Sequence, residues 1–323
     1  MRISYLGPPG TFTEEALKTQ DDLGAGDLLP VRAVPDAVAA VESGDADAAF
    51  VPIENSIEGS VTVTLDTLAF ESELLIRREV DLPVSFSLCM KPETTMRQIT
   101  TVRSIPIAAA QCRQWLRRRV PKAEIEPATS TADAARAVAR SRKAGQAAIA
   151  NPLAAQLYGL REAATAIEDH PHNSTRFVLV GRGVPEPTGH DRTSVVCFQR
   201  KNRPGSLLGI LQEFSARAID LTKLESRPTK SGLGEYCFFI DLEGHIADEV
   251  VADTLRDLAA KIAEVKFLGS YPVGGQGEGE AVVRRSAAGK AWREADAWMR
   301  GLRAQIDGDG PSDERIAQTE ESR

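Results

Sequence analysis

The chain has 323 residues, of which 42% are hydrophobic and 26% charged, and this composition is typical of a soluble protein with two domains and a tail. Its formal net charge of -7 argues against nucleic acid as a partner. No segment approaches the roughly 20 apolar residues that a membrane span requires, and no long apolar stretch precedes the first expected strand, so we expect a cytoplasmic protein that is not bound to a membrane.

Residues 1–182 alternate short apolar runs with helical patterns, which predicts an α/β fold with a largely parallel sheet. In the first part we expect, in chain order, a strand at 3–6, a helix at 11–17 opened by a Thr-x-x-Glu capping box, a helix at 33–42, a strand at 48–53 and a helix from 61. A second lobe is expected over about 80–160, with a strand at 84–90, helices at 107–118 and 132–139, a strand at 147–150 and a helix at 153–158 that ends at Gly159. The chain then returns to the first lobe.

The C-terminal part begins after residues 183–192, which carry two prolines and two glycines and are expected to be a linker. Residues 193–272 then show strand and helix patterns in the order βαββαβ, which is ferredoxin-like. The tail, residues 273–323, is polar apart from a helical patch with Trp292, Trp298 and Leu302, and we expect it to be partly flexible.

The four cysteines are widely spaced, form no Cys-x-x-Cys pair and lie in apolar surroundings, so they predict buried free thiols and no metal site. No glycine-rich dinucleotide or phosphate-binding motif occurs, and we expect no cofactor. The candidate chemistry therefore rests on side chains alone.

A polar segment, His172–Phe177, runs directly into an apolar strand. It places a hydroxyl (Thr175) and a permanent cation (Arg176) side by side at a strand end, where α/β proteins present side chains to ligands. Thr175 can donate a proton, and Arg176 can bind a carboxylate by a bidentate pair. The alternatives are a Ser/Thr turn for Thr175 and a structural salt bridge with Glu54 or Asp169 for Arg176. Strand alternation puts the two side chains on opposite faces, and the sequence does not show which one faces the ligand.

Two further segments combine glycine with hydrogen-bonding side chains. Near the N-terminus, Gly10 and Thr11 precede a helix, whose free N–H groups favour an anion, although a plain N-cap is the commoner role for Thr11. At the end of a buried strand, Asn55 and Ser56 can donate hydrogen bonds to a carboxylate or an oxyanion. Glu54 can orient these donors, or it can be an ordinary surface carboxylate at a strand end.

Together and in this order, the three segments resemble the motifs of the prephenate dehydratase family, and the resemblance covers residues 1 to about 272. It implies the loss of water and carbon dioxide from prephenate to form phenylpyruvate, with Thr175 as the general acid and no metal or organic cofactor. The catalytic residues carried over are Thr175, Arg176, Glu54 and Asn55. The substrate-binding residues carried over are Gly10, Thr11, Ser56, Ser104, Gln111 and Phe177. Because Ile105 stands where the family usually has histidine, no histidine acid or base is expected there.

Two segments of the C-terminal unit resemble the effector motifs of ACT domains, which bind amino acids at their subunit interfaces. The residues carried over as the effector site are Asn202, Pro204, Gly205, Ser206, Leu207, Leu208, Glu225, Ser226, Arg227 and Pro228. A helix N-terminus can bind the carboxylate of an amino acid, and Glu225 is expected to receive its ammonium. The resemblance implies L-phenylalanine as an allosteric effector and a homodimer or homotetramer.

Two other functions stay open. The two lobes, with a chain that crosses over and returns, are similar to type 2 periplasmic binding proteins, so a non-catalytic amino-acid-binding protein would share the expected fold. Arogenate, which carries an ammonium in place of the keto oxygen of prephenate, is an alternative substrate for the same chemistry. The sequence does not decide between the two substrates.

Overall fold

The computed structural model describes residues 1–199, 204–230, 232, 234–274 and 294–305. Three β-sheets organise these residues: one in each lobe of the N-terminal part, and one in the C-terminal unit (residues 191–274). Among the described residues, no helix is long and apolar enough to cross a membrane. All four cysteines are buried and free, as the sequence predicts.

The first lobe contains each predicted element in order, together with three strands, at 27–31, 59–60 and 75–83, and a short helix at 21–24 that the sequence did not predict. Its strands are β1 (Arg2–Leu6), β2 (Asp27–Val31), β3 (Ala48–Asn55), β4 (Gly59–Ser60) and β5 (Leu75–Pro83). Its helices are α1 (Phe12–Lys18), α2 (Asp21–Gly24), α3 (Val34–Glu42) and α4 (Thr62–Asp66), which continues as a π-helical turn over Thr67–Glu71. Helix α1 begins at the predicted place because the hydroxyl of Thr11 accepts the backbone N–H of Glu14 at 3.4 Å.

The second lobe is a smaller α/β unit. Its strands are β6 (Ser87–Met90), β7 (Thr101–Ser104), β8 (Glu124–Pro127), β9 (Gln146–Ala150) and β10 (Arg161–Ala164). Its helices are α5 (Pro106–Gln111), α6 (Arg113–Arg119), α7 (Thr131–Arg140) and α8 (Pro152–Leu157), with a 3-10 turn over Met96–Gln98. The chain then returns to the first lobe through β11 (Ser174–Gly181).

The C-terminal unit has the predicted order βαββαβ. Its elements are β12 (Asp191–Gln199), α9 (Ser206–Ala216), β13 (Leu221–Pro228), β14 (Tyr236–Glu243), α10 (Glu249–Asp257) with a π-helical turn over Leu258–Ile262, and β15 (Ala263–Pro272). The strand order is β13-β14-β12-β15, and all neighbours are antiparallel. In the tail, residues 294–303 form a helix on which Trp298 is 64% exposed, while Trp292 lies outside the described residues.

Both lobe sheets are mixed, whereas the sequence predicts largely parallel ones. In the first sheet, β2-β1-β3-β11-β5, the strands β1, β2 and β3 are parallel, but β11 runs antiparallel to both of its neighbours. In the second sheet, β10-β6-β9-β7-β8, it is β6 that runs antiparallel to its neighbours. The reversed strands lie next to the crossovers, and apolar patterns along one strand carry no information on the direction of its neighbour.

Two predicted boundaries need correction. The second lobe begins after Pro83 rather than near residue 80, because β5 still pairs with β11 in the first sheet. The helix predicted at 107–118 is interrupted at Cys112. There the N–H of Asp169 donates to the carbonyl of Gln111 at 2.6 Å, and the carboxylate of Asp169 accepts the N–H of Gln114 at 2.9 Å. Asp169 therefore ends one helix and caps the next.

The C-terminal unit packs directly on the first lobe. Val178 and Val180 of β11 share an apolar cluster with Phe239 of the C-terminal unit. The backbones also approach closely, since a Cβ at Gly269 would lie 2.3 Å from the carbonyl oxygen of Ile76. The predicted linker at 183–192 is partly structured, because β12 already begins at Asp191. The side chain of Asp191 accepts hydrogen bonds from Thr188 and Gly189.

A buried charge layer, consisting of Glu79, Arg176, Arg192 and Asp241, lies in this interface. Arg176 contacts Asp241 at 2.8 Å and Glu79 at 3.5 Å, and Arg192 contacts Glu79 at 2.5 Å. Burial raises the pKa of Asp241, but Arg176 and a hydrogen bond from Ser194 outweigh it, so the pKa lies below its ordinary value. For Glu79, burial outweighs the two arginines, and the pKa is raised.

We expect Asp241→Asn to lower the Tm at neutral pH, because breaking a buried ion pair typically costs about 3 kcal/mol or more. A carboxyl with a depressed folded pKa stabilises the protein above its unfolded pKa of about 3.9, and this contribution is lost as the pH falls through the lower folded value. The Tm difference between wild type and Asp241→Asn should therefore be largest near neutral pH and shrink below about pH 4, as calorimetry would show.

Glu79→Gln is the matched comparison, because it removes a carboxylate from the same layer. The folded pKa of Glu79 is raised, so its ionisation weakens folding as the pH rises from the unfolded pKa of about 4.3 through the folded value. The stability of wild type relative to Glu79→Gln should fall over that window. Parallel pH trends for the two variants would contradict these ionisation states.

Candidate active site

The candidate site lies where strand ends of the first lobe meet helix α5 of the second lobe. Thr175, near the start of β11, is paired in register with Asn55 at the end of β3. Thr175, Phe177 and Leu179 point to one face of the sheet, and Arg176 and Val178 point to the other. The alternation expected for a strand therefore holds, and the hydroxyl lies on the side of Asn55.

The orientation of the Asn55 side chain is fixed by the backbone. Its Oδ1 accepts the N–H groups of Ile57 and Glu58, both at 3.0 Å, so its Nδ2 must face the other way. This Nδ2 donates to Thr175 Oγ1 at 2.9 Å and to Asn173 Oδ1 at 2.7 Å. The Thr175 oxygen therefore accepts a hydrogen bond from the protein, which leaves its own proton free to be donated.

Two side chains that the sequence reasoning missed, Asn173 and Glu58, complete a contact between the lobes. Asn173 Nδ2 donates to Gln111 Oε1 at 3.0 Å, and Gln111 Nε2 donates to Glu58 Oε1 at 2.9 Å. Gln111 belongs to the second lobe, whereas Glu58 and Asn173 belong to the first. Both missed residues lie inside the motif segments, so their closeness in sequence to Asn55 and Thr175 could have predicted that they belong to the site.

The two predicted serines have partners within the protein. Ser56 Oγ donates to the carbonyl of His172 at 3.3 Å and accepts the N–H of Ser174 at 2.9 Å, so it ties the β3 loop to the start of β11. Ser104, at the end of β7, donates to the carbonyl of Ile105 at 3.0 Å.

Gly10 and Thr11 favour the capping alternative. The N–H of Gly10 donates to the carboxylate of Glu14 at 2.6 Å, and the Thr11 hydroxyl donates to the carbonyl of Leu6 at 3.0 Å. Gly10 has a φ of +90°, and a Cβ there would lie 3.3 Å from Ala154 of the second lobe. At this position glycine serves the close approach of the two lobes.

The lobes also touch on the far side of the cleft. The Tyr158 hydroxyl donates to the carbonyl of Pro9 at 2.7 Å, and Asn151 Nδ2 donates to Glu15 Oε2 at 2.7 Å. Burial raises the pKa of Glu15. Together with the hydrogen bonds of Gln111, these contacts join the two lobes.

Neither Arg176 nor Phe177 lies beside Asn55 and Asn173: Arg176 points to the opposite face of the sheet from Thr175, and Phe177 shares the face of Thr175 but is buried in the core. Arg176 is 11% exposed, and besides Asp241 and Glu79 it contacts Glu54 at 3.2 Å, one of the two structural partners expected for it. Phe177 is 2% exposed and stacks on Phe50 with ring centroids 5.4 Å apart. The geometry assigns Arg176 to the charge layer and Phe177 to the core.

The second effector segment is divided between two faces of β13. Glu225 and Arg227 face the first lobe, where Glu225 accepts a hydrogen bond from the Ser60 hydroxyl and Arg227 contacts Asp66 at 3.0 Å. Ser226 and Pro228 lie on the opposite, exposed side.

The first effector segment opens α9. Gly205 takes a φ of +85° just before the helix. Ser206 and Leu207 are half-buried, whereas Pro204 and Leu208 are exposed. Asn202 lies outside the described residues.

No group of three or more His, Cys, Asp and Glu side chains that could hold a metal ion occurs in the part of the chain that the structure describes. The observed parts are thus a two-lobed α/β unit with a polar cleft, and a βαββαβ unit docked on its first lobe. This architecture is that of a two-lobed α/β protein with an attached ferredoxin-like domain.

Comparison with known families identifies both units. Residues 3–184 match the family Prephenate dehydratase, and residues 193–260 match the ACT domain. The chain belongs to the prephenate dehydratase family, whose members are lyases. The C-terminal unit is an ACT domain, as predicted, and the fold expected from the sequence is confirmed.

Curated relatives agree over nearly the full length. The prephenate dehydratase of Mycolicibacterium vanbaalenii is 47% identical over 316 residues, which cover 93% of this chain and 98% of the relative. That of Mycobacterium tuberculosis is 46% identical over 314 residues, covering 94% of each chain.

Solved structures share the fold. Prephenate dehydratase from Arthrobacter aurescens in complex with L-Phe is 39% identical with a TM-score of 0.86, covering 94% of this chain and 100% of the other. The enzyme from Staphylococcus aureus is 28% identical with a TM-score of 0.72, covering 84% and 100%. A protein described as a novel type of quorum quenching acylase is also 28% identical, with a TM-score of 0.77 over 85% and 98%.

The position of Arg176 yields a kinetic prediction. We expect Arg176→Lys to lower the Tm, because a single ammonium cannot reach three carboxylates as the guanidinium does, and to leave KM within about two-fold of wild type. Arg192→Lys is the control from the same charge layer; because Arg192 pairs with one carboxylate, Glu79, it should lower the Tm less and also leave KM unchanged. A large rise in KM without a change in Tm would instead place Arg176 against the substrate.

Proposed function

We propose that the enzyme converts prephenate to phenylpyruvate, with release of water and carbon dioxide. The observation that carries the proposal is the hydrogen bond from Asn55 Nδ2 to Thr175 Oγ1, at 2.9 Å, in a chain of the prephenate dehydratase family. This bond leaves the Thr175 proton available at the mouth of a polar cleft between two lobes.

The chemistry needs one proton donor and no external electron acceptor. The bond between the ring and its carboxylate breaks and releases carbon dioxide, and its electron pair enters the ring. The hydroxyl on the opposite ring carbon departs with the proton of Thr175 as water. One proton is consumed overall, and Thr175 recovers it from solvent.

A threonine hydroxyl is a weak acid, and its surroundings must compensate. A hydrogen bond donated to its oxygen stabilises the deprotonated form and therefore favours proton release. Asn55 supplies this bond, and its own position is fixed by two backbone N–H groups. We propose that Gln111 and Ser104 contact the substrate from the second lobe, while Gly10, Thr11 and Ser56 shape the first-lobe side of the cleft.

Three alternatives remain as outcomes of one assay. Arogenate would give phenylalanine by the same bond changes, and a non-catalytic binding protein would bind either compound without turnover. The acylase relative shows that this fold also hosts another activity. Purified protein is therefore assayed with prephenate, with arogenate and with an acyl-amide substrate.

We expect kcat/KM to be highest for prephenate, and Thr175→Ala to lower kcat by about 10²–10⁴-fold with little change in KM or in circular dichroism. Thr175→Ser, which keeps the hydroxyl, is the matched control and should retain most of the activity. Near-normal turnover by a folded Thr175→Ala protein would rule out Thr175 as the acid, and turnover of only the acyl-amide would rule out the proposed function.

We further propose that L-phenylalanine binds the ACT domain near the start of α9 and regulates the cleft. Support comes from the relative solved in complex with L-Phe. The apolar side chains of Leu208, Leu224 and Tyr236 are exposed beside the edge strand β13, and an exposed edge of this kind is suited to pairing with a second copy. We propose a homodimer or homotetramer that acts in the cytoplasm, where four buried free cysteines are stable.

The route from the ACT domain to the cleft is short. Ser60 hydrogen bonds Glu225 and Lys223 of β13, and Lys223 also contacts Glu54 at 3.3 Å. Glu54 and Ser60 flank the loop that carries Asn55. Glu225 can therefore transmit the effector signal, besides the ammonium-binding role expected from the sequence.

Ser60→Ala separates these two roles, because Ser60 lies outside the ACT domain. If Glu225 transmits the signal, Ser60→Ala and Glu225→Ala should both weaken phenylalanine inhibition and change phenylalanine affinity only by the coupling factor, typically about 5–150-fold. Thr222→Ala, on the exposed side of β13, is the control, and phenylalanine should inhibit this variant as strongly as wild type. If only Glu225→Ala weakens phenylalanine binding in calorimetry, Glu225 is the ammonium partner and the route is wrong.

A further inference from the structure

We propose that Asn173 is a positioning residue for the dehydration step: it links closure of the two lobes to the hydroxyl of Thr175 through an oriented chain of side-chain amides. The chain runs from Glu58 through Gln111, Asn173 and Asn55 to Thr175, with distances of 2.9, 3.0, 2.7 and 2.9 Å. This inference rests on the proposed role of Thr175 as the acid.

The direction of every hydrogen bond in this series of side chains follows from the fixed orientation of Asn55. The backbone N–H groups of Ile57 and Glu58 hold Asn55 Oδ1, so Asn55 Nδ2 faces Asn173. Asn173 must then present its oxygen to Asn55 and its Nδ2 to Gln111. Reversal of either amide would place two donors or two acceptors against each other.

The contact between Gln111 and Glu58, at the other end of the series, requires the same direction of hydrogen bonding. Gln111 accepts from Asn173 with Oε1, and its Nε2 therefore faces Glu58, whose carboxylate can only accept when ionised. A carboxylate at one end and a backbone-fixed amide at the other thus specify the same orientation. Both ends of the arrangement belong to the same turn, because the backbone N–H of Glu58 is one of the two groups that hold Asn55 Oδ1.

Asn173 connects the contact between the lobes, at Gln111, with Asn55, which hydrogen bonds the proposed acid Thr175. Its side chain is 3% exposed, and its carbonyl accepts the N–H of Val84 at 2.8 Å, at the crossover between the lobes. If the lobes separate, Gln111 leaves with the second lobe, and water replaces it as the acceptor of Asn173 Nδ2. Nothing then fixes the amide of Asn173 in the orientation that presents its oxygen to Asn55.

The consequence is a proton donor that is aligned only when the cleft is closed. In the open state Asn55 Oδ1 stays held by the backbone, but Asn55 Nδ2 loses its 2.7 Å bond to Asn173 and tilts toward its other acceptor, the Ser174 carbonyl at 3.2 Å. In the closed state all four hydrogen bonds form together, and the Thr175 proton is directed at the bound substrate. Misplacement of a reacting group by about 1 Å can cost 10²-fold in rate, which is the effect expected when the chain is broken.

Asn173→Ala and Asn173→Asp test the proposal with different signatures. Asn173→Ala removes both bonds, and we expect kcat to fall by about 10–100-fold at every pH with a smaller change in KM. Asn173→Asp keeps the shape, but its ionised carboxylate cannot donate to Gln111. Once protonated, the introduced carboxyl can donate as the amide does, so kcat should recover as the pH falls from about 8 to about 5, because burial and nearby Glu58 raise its pKa. The wild-type profile, measured in parallel, removes the contribution of the other ionisable groups of the enzyme.

Gln146→Glu is the matched control, since it converts a buried amide to a carboxyl at the end of β9 that pairs with Thr101, away from Ser104. Its kcat profile should run parallel to wild type. If wild type turns over prephenate but Asn173→Asp follows the wild-type profile or stays equally low at all pH values, the positioning role is wrong and the function stands. If wild type has no dehydratase activity, both proposals fall. Should Asn173→Ala not fold, the isosteric variant alone decides.

Discussion

The guanidinium of Arg176 sets the main constraint on this structure. It cannot lose its charge, and it lies 11% exposed between two sheets, so carboxylates must surround it. Asp241 comes from the ACT domain, and Glu54 and Glu79 come from the first lobe. The strand that carries Thr175 is thereby bound to the ACT domain through the sheet face opposite Thr175. The adjacent position on the strand, Thr175, points to the opposite face, so a step of one residue along β11 separates the proposed acid from the domain interface.

Much of this arrangement can be predicted from the sequence, and several of the failures have identifiable physical causes. Strands and helices with strong apolar periodicity, such as β1, β3 and α3, were predicted almost to the residue. Short strands whose side chains are mostly exposed, such as β8 (Glu124–Pro127), were missed because no apolar pattern marks them. The opposite directions of Thr175 and Arg176 follow from strand alternation. Which of the two faces the cleft depends on where the ACT domain packs, and this is a tertiary fact.

The missed residue Asn173 shows the same limit at the level of the site. Its partner Gln111 is 62 residues away in sequence, and only the crossover between the lobes brings them together. In the effector segment 225–228, alternation along β13 also decides which side chains reach the first lobe. Glu225 and Arg227 reach the first lobe, and Ser226 and Pro228 do not, so a motif that is continuous in sequence serves two surfaces.

The loop from Glu54 to Ser60 is where these contacts converge. Asn55 reaches the acid, Glu58 reaches the second lobe through Gln111, and the two ends contact Lys223 and Glu225 of the ACT domain. Gly59, with a φ of +82°, and the two N–H groups bound by Asn55 make this segment a compact turn, so its two ends do not move independently of its centre. A displacement of Ser60 therefore also shifts Asn55. Under the proposed regulation, this route acts on the alignment of Asn55 with Thr175 and, through Glu58, on Gln111 of the second lobe.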